Sequence, residues 1–429
     1  MADQHEKHAC SEYNELSRRS FIGGTAAATV AASLGYSWLP RFAFGASGAN
    51  RDILISVFLR GGSDGLTICV PHGDSGYYTA RPNIAVPPPG SGQTGAATDL
   101  NGFFGFPLEM LPLLPAYQNG HLAIVHAIGS QTWSRSHFDA QAWMELSDRN
   151  NPTNTTGWLG RHLATSPEMV PGAPIRGIAL NYGMPRIMNG GPKTLPIPDP
   201  PNFDYFAYYP NKDEMIGWIE KQYNKIRDDE RQAVRDTNNT IAFLNTIDFE
   251  NYAPGGGAVY PETNFGYAMK SVAAMMRANI GMEAAQIDID GWDTHAQQGS
   301  VGGYMAALMD DLGKSLGALY TDLAGANRMD FTCVVISEFG RNVLENGAIG
   351  TDHGAGNCMF VLGGKVNGGQ VYGTWPGCSQ EFLLDGYDLQ MTTDYRSVLA
   401  EVVDKRLQNG NLSTIFPDFT PTYLGVCDA

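Results

Sequence analysis

Four short loops in this chain carry side chains able to do chemistry together: "RGGSDG" with Asp64, "SRSHFD" with Arg135, Ser136 and His137, "GWDTH" with Asp293 and His295, and "SEFGRNVLENGAIGTDHG" with Glu338, Arg341, Asp352 and His353. Carboxylates mixed with imidazoles form an oxygen and nitrogen donor set that suits zinc, manganese or another borderline divalent ion. Such a cation polarises an ester oxygen or activates a water or hydroxyl. A serine at a helix start, beside an arginine, sits where backbone N–H groups and a guanidinium hold an anion. Attack by Ser136 on phosphorus or sulfur is then chemically reasonable. Taken singly, each feature has an ordinary reading: Asp64 as a turn residue, Ser136 and His137 as a helix cap, Glu338 as a partner of Arg341, and Trp292 as core. The weight lies in the set.

The loops must be brought together by what flanks them. "DILISVFL", "HLAIVHAI", "AAQIDI", "FTCVVIS" and "NCMFVLGG" are apolar runs of strand length, rich in branched residues. Helical patterns lie in the second half of "GSQTWSRSHFDAQAWMEL", around 268–280, over 304–323 and in the closing "TDYRSVLAEVVDKRL". Strands alternating with helices predict an α/β fold with a mostly parallel central sheet and helices on both faces. In such a sheet the loops at the carboxyl ends of the strands gather on one edge, so residues far apart in sequence converge there. A stretch from about 166 to 261, rich in Pro, Gly, Asn and Tyr around a charged helical segment, reads as an insertion covering one face, a lid or partner surface. No fixed-period repeat is present.

The chain has 429 residues, 43% hydrophobic and 17% charged, with a net charge of −16. That is ample for a large core, and it offers no basic stripe for nucleic acid. A bound cation can still reverse the local sign for a small anionic substrate. Residues 1–49 read differently: "SRRSFI", a weakly apolar run to Leu39, then small residues in "GASGA". This resembles a twin-arginine export signal, with an N-terminal membrane anchor as the alternative. Either places residues 50–429 outside the cytoplasm, periplasmic or secreted, touching a membrane only through the export segment if it is uncleaved. Five of six cysteines lie beyond that segment and none forms a CxxC, so at most one disulfide is expected, with Cys378 and Cys427 as the pair to consider.

From "SRRSFI" through "FLRGGSDGL", "SRSHFDAQ", "GWLGR", "GWDTH", "SEFGR", "GTDHG" and "GGQVYG" to "TTDYRSVL", the chain resembles the exported bacterial proteins known as the domain of unknown function 1501 family, within the alkaline phosphatase and sulfatase superfamily. The resemblance implies an alkaline phosphatase-like fold, metal binding by Asp64, Asp293, His295, Glu338, Asp352 and His353, and Ser136 as nucleophile or substrate holder. His137 joins Ser136 in catalysis, and Arg135 and Arg341 orient the anion. Three departures stand out. Phe339 replaces a ligand histidine, Glu338 replaces an aspartate, and His295 follows Asp293 by two residues where the superfamily has four. One ion is therefore an alternative to two. The Cys or Ser followed by x-Pro-x-Arg of formylglycine sulfatases is absent. The expected function is exported, metal-dependent hydrolysis of a phosphate or related anionic ester, on a small anionic or carbohydrate-linked substrate. The alternative is a non-catalytic scaffold or carbohydrate-binding protein that keeps the fold with a degraded site.

Overall fold

The computed structural model describes residues 51–130, 134–148, 151, 153–204, 212–223, 225 and 228–429. The export-like segment lies outside them. In chain order the strands are β1 (Ile53–Leu59), β2 (Thr98–Asp99), β3 (Gly105–Phe106), β4 (Leu122–Gly129), β5 (Gly177–Ala179), β6 (Thr194–Pro196), β7 (Ala284–Ile289), β8 (Phe331–Ser337), β9 (Asn357–Gly363), β10 (Gln370–Tyr372) and β11 (Thr393–Asp394). Strands β2 and β3 form a separate antiparallel ribbon. The rest build one sheet in the order β10-β4-β9-β8-β1-β7-β5-β6, with β11 also paired to β4.

Central β1 is apolar at nearly every position because both of its faces are covered. Ile53, Ile55, Val57 and Leu59 enter one core with residues of the helices Asn264–Ala278 and Tyr304–Gly325. Leu54 and Phe58 enter the opposite core with residues of the helices Trp158–Thr165 and Tyr395–Lys405. Full burial of each such large side chain contributes about 1.5–3 kcal/mol. Helices thus lie on both faces, as the alternation predicts. No described helix is long and apolar enough to cross a membrane.

The sheet is mostly, not wholly, parallel. Strand β1 runs parallel to β7 and β8, while β9 runs antiparallel to both β8 and β4. A parallel neighbour needs a crossover, usually a helix, and residues 338–356 between β8 and β9 contain none. The consequence is functional: this connection leaves β8 and enters β9 at the same edge of the sheet, so its whole length stays where the other carboxyl-end loops gather.

Two expectations need revision. The region 166–261 is not simply an added cover, because β5 and β6 extend the central sheet beyond β7. Three residues each are too few to show periodicity, and Pro196 ends the edge strand, where its missing N–H costs no ladder bond. Cys378 and Cys427 are not bridged. All five described cysteines are free and buried, and these two belong to different core clusters.

Candidate metal centre

The loop after β1 sets the floor of the site. Gly61 has φ +118°, and a Cβ there would stand 2.6 Å from the Asp293 backbone nitrogen; Gly62 has φ +71°, and its Cβ would strike the Phe339 ring at 2.3 Å. Only glycine lets the β7 and β8 loops close onto β1 this tightly. From the other side comes the helix His137–Leu146, whose N-cap Ser136 has extended φ and ψ of −90° and 120°.

Three histidines meet at this point, and each has its Nδ1 occupied by an oxygen. His137 Nδ1 lies 2.9 Å from Glu338 Oε1, His295 Nδ1 2.8 Å from Asp352 Oδ1, and His353 Nδ1 2.8 Å from the Arg135 carbonyl. Carboxylate and carbonyl oxygens only accept, so each ring places a proton on Nδ1, and in its neutral form it carries a lone pair on Nε2. The three Nε2 atoms turn toward Asp293. His295 and His353 place theirs 3.0 and 3.1 Å from Oδ1, and His137 places its own 3.5 Å from Oδ2. The Nε2 atoms of His295 and His353 are 3.0 Å apart. With both rings neutral, two lone pairs at that distance repel, and either a shared proton or a shared cation removes the repulsion. The Nε2 of His137 is buried with no hydrogen-bond partner among the described residues. Tetrahedral zinc ligands at their usual bond lengths stand about 3.3 Å from one another, close to the 3.0 to 3.5 Å contacts of the three Nε2 atoms with Asp293. Ligand atoms of His137, Asp293 and His353 all lie within 4.8 Å.

Residues 215–411 match a family described as Protein of unknown function (DUF1501). The match supports membership of that family. It takes in Asp293, His295, Glu338, Arg341, Asp352 and His353, while Asp64 and Arg135 to His137 lie upstream of it. No curated protein matches the chain.

The surrounding charges of this DUF1501-matching chain set the ionisation of these groups. Burial works against ionisation of Asp293, but the Arg341 guanidinium, donating from Nη2 at 2.6 Å, keeps the carboxyl below its ordinary range. Burial also opposes the charge on Glu338, and there His137, Gln141 Nε2 at 2.9 Å and the Gly61 N–H at 2.9 Å prevail and lower its pKa. Asp352 is lowered first by its bond from His295. His353 is lowered by burial, which favours the neutral, ligating form, whereas the bond to Glu338 raises His137. Phe339, in the position of the expected ligand, is 3% exposed and packs its ring against His137 and His353 with centroids 5.0 and 4.8 Å away. It is the wall that fixes two imidazole planes.

The structure brings together Asp293, His295, His353 and His137 side by side, with Glu338 and Asp352 one layer behind, bonded to His137 and His295. Asp64 stands apart. Arg81 grips both its oxygens, Nη2 to Oδ1 at 3.0 Å, and Thr67 Oγ1 and Gln298 Nε2 donate to Oδ2 at 2.6 and 2.7 Å. Burial opposes its charge and Arg81 overcomes that, so Asp64 is ionised but already matched by a cation. Arg341 also faces inward. Its donors go to Gly62, Gly61, Trp292 and Thr351 carbonyls as well as Asp293, so it ties the loops after β1 and β7 to its own β8–β9 connection instead of holding a substrate. Ser136 is half-buried at the helix start, its N–H donating to Ser134 Oγ at 3.1 Å. Arg135 pairs with buried Asp388 at 2.8 Å. Sequence reasoning missed Gln141, although its spacing of four from His137 on one helix put it on the same face. It also missed Arg81 and Asp388, which no spacing connects to their partners.

Proposed function

We propose that this chain is an exported, metal-dependent hydrolase of a phosphate or related anionic ester. One divalent cation, zinc or manganese, is held by His137, Asp293, His295 and His353. A single observation carries the reading: three histidines, each tethered at Nδ1 by an oxygen, converge through Nε2 on one carboxylate. A metal-free cluster of this shape must charge its imidazoles to bond Asp293, whereas a metal-binding cluster uses the same geometry with neutral rings. The predominantly parallel sheet and the placement of these groups at its carboxyl edge support the alkaline phosphatase-like assignment, and "SRRSFI" supports export. A divalent cation, when bound, supplies Lewis-acid polarisation of the ester oxygen.

The chain's own residues do the remaining work. Glu338, Asp352 and the Arg135 carbonyl keep the imidazole protons away from the centre. Arg341 holds Asp293 ionised. Ser136, at the start of the helix that carries His137, offers a hydroxyl as nucleophile or substrate holder and a helix N-terminus for the anion. Beside the histidines lies an open depression of about 380 Å³ lined by Arg135, Asn342 and Tyr387 together with His295, Asp352 and His353. This is the place for the substrate. The non-catalytic alternative draws on Asp64, whose charge is taken up by Arg81, and it predicts metal uptake without turnover.

The test is metal analysis of the purified protein, followed by assays on phosphomonoesters, phosphodiesters and sulfate esters. One equivalent of metal and ester hydrolysis lost in both Asp293→Ala and His353→Ala are expected. A protein that takes up no divalent metal, or activity that survives both substitutions, refutes the assignment.

A further inference from the structure

The charges around the depression narrow the substrate. Two guanidinium groups, Arg135 and Arg341, face four carboxylates, Asp293, Glu338, Asp352 and Asp388. With the two charges of a divalent cation the site comes out neutral. Arg341 is buried and committed to Asp293 and backbone carbonyls, so it lends no net charge to a ligand. Arg135 lines the depression with its side chain 44% exposed, and Asp388 beneath it already offsets part of its charge. Further out, Arg60 is shared between Glu145 and Asp288, and Asp290 adds more negative charge on the same loop as Asp293. The chain as a whole carries −16. A doubly charged ligand would enter a region with one partly neutralised arginine and a field that turns negative a few ångströms away. A singly charged ligand meets half of that opposition, and Arg135 lines the depression within its reach.

We infer that the site is selective for tetrahedral esters bearing one negative charge, a phosphodiester or a sulfate monoester, over dianionic phosphate monoesters. Arg135 holds the anionic oxygen, and the exposed ring of Tyr387 lies beside the alcohol portion. The inference rests on the hydrolase reading above. Hydrolysis adds water across the ester: the bond from phosphorus or sulfur to the leaving oxygen breaks, the water oxygen takes its place, and the alcohol leaves with a proton. The remaining proton goes to solvent, and the product from either class is a dianion. A site that disfavours dianions binds that product weakly and releases it.

The experiment has a turnover arm and a binding arm. Metal-loaded protein is assayed at pH 8 with bis(4-nitrophenyl) phosphate, 4-nitrophenyl sulfate and 4-nitrophenyl phosphate, which separates the two singly charged classes from each other and from the dianion. Calorimetry then compares phenylphosphonate, doubly charged at that pH, with its singly charged monomethyl ester, and phosphorus NMR of the recovered sample checks that the ester is intact after the titration. At least a tenfold preference for the singly charged compounds is expected in both arms. Arg135→Gln should reduce affinity for the methyl ester at least fivefold with metal content unchanged, because the carbonyl that holds His353 is retained. Equal or better binding of phenylphosphonate overturns the inference and leaves the hydrolase reading standing. Failure to turn over any ester, with the methyl ester still preferred, removes the hydrolase reading and keeps the charge selectivity. Unchanged affinity in Arg135→Gln removes Arg135 from the proposal.

Discussion

Glu338→Gln isolates the part of the site that tunes the metal from the part that holds the fold. The carboxylate is fully buried on its side chain, and Oε1 receives three donors at 2.9 Å: the Gly61 N–H, His137 Nδ1 and Gln141 Nε2. Glutamine has the same shape, and its carbonyl oxygen can accept the same bonds. What it loses is the negative charge that strengthens the His137 hydrogen bond and makes Nε2 a better donor. Removing a partner of this kind usually costs ten- to a hundredfold in metal affinity, or about 1.4–2.7 kcal/mol. Competition with a chromophoric chelator measures the change, and a parallel denaturant titration checks that folding is retained. His137→Ala, which removes the donor atom itself, should cost more than Glu338→Gln. Metal affinity of Glu338→Gln equal to wild type, with the variant folded, would refute the argument that Nδ1 tethering prepares the histidines for a cation.

Two further predictions concern stability. Arg81→Met leaves the Asp64 carboxylate buried without its cation and should cost about 3–5 kcal/mol, while the double variant Asp64→Leu with Arg81→Met should recover most of it, because removing both charges also removes their desolvation penalty; urea denaturation of the three proteins checks this. His126 is buried with Nε2 donating to the Cys69 carbonyl at 3.0 Å and Nδ1 accepting from the Ala127 N–H at 3.0 Å, so the ring is held neutral and burial lowers its pKa to about 4. In the unfolded chain it titrates near 6.5. Its contribution is therefore fully present above pH 6.5 and is lost as pH falls from there toward 4, by about 3 kcal/mol. His126→Gln should flatten that part of the stability profile, and an unchanged acid limb would count against it.

Legibility differed sharply between elements. The long strands β1, β4, β7, β8 and β9 were readable because burial on both faces demands runs of apolar, branched side chains, and nothing else in the chain produces such runs. The two short edge strands β5 and β6 were not, since three residues backed by the sheet need no pattern of their own. In the site, Asp293, His295 and His353 were grouped from their loops, and the structure brings them within hydrogen-bond distance of one another. His137 was singled out beside Ser136 for catalysis and not grouped with Asp293, because residue type and helix position do not reveal which ring nitrogen is occupied or where the other one faces.

The sequence by itself determined the supply of chemistry: carboxylates and imidazoles in glycine-bounded loops, each attached to the end of a strand. Local composition is enough for that, because a strand end and a tight turn leave their marks on neighbouring residues. Only the tertiary structure decided which of those groups share a centre. Asp64 was assigned to Arg81, Arg341 was turned inward to carbonyls from three loops, and Phe339 became the support of two imidazoles. The reason is distance through space. Arg81 and Asp64 are 17 residues apart, and His137 and Glu338 are 201 apart, and a partner chosen across such separations depends on how the sheet edge gathers its loops.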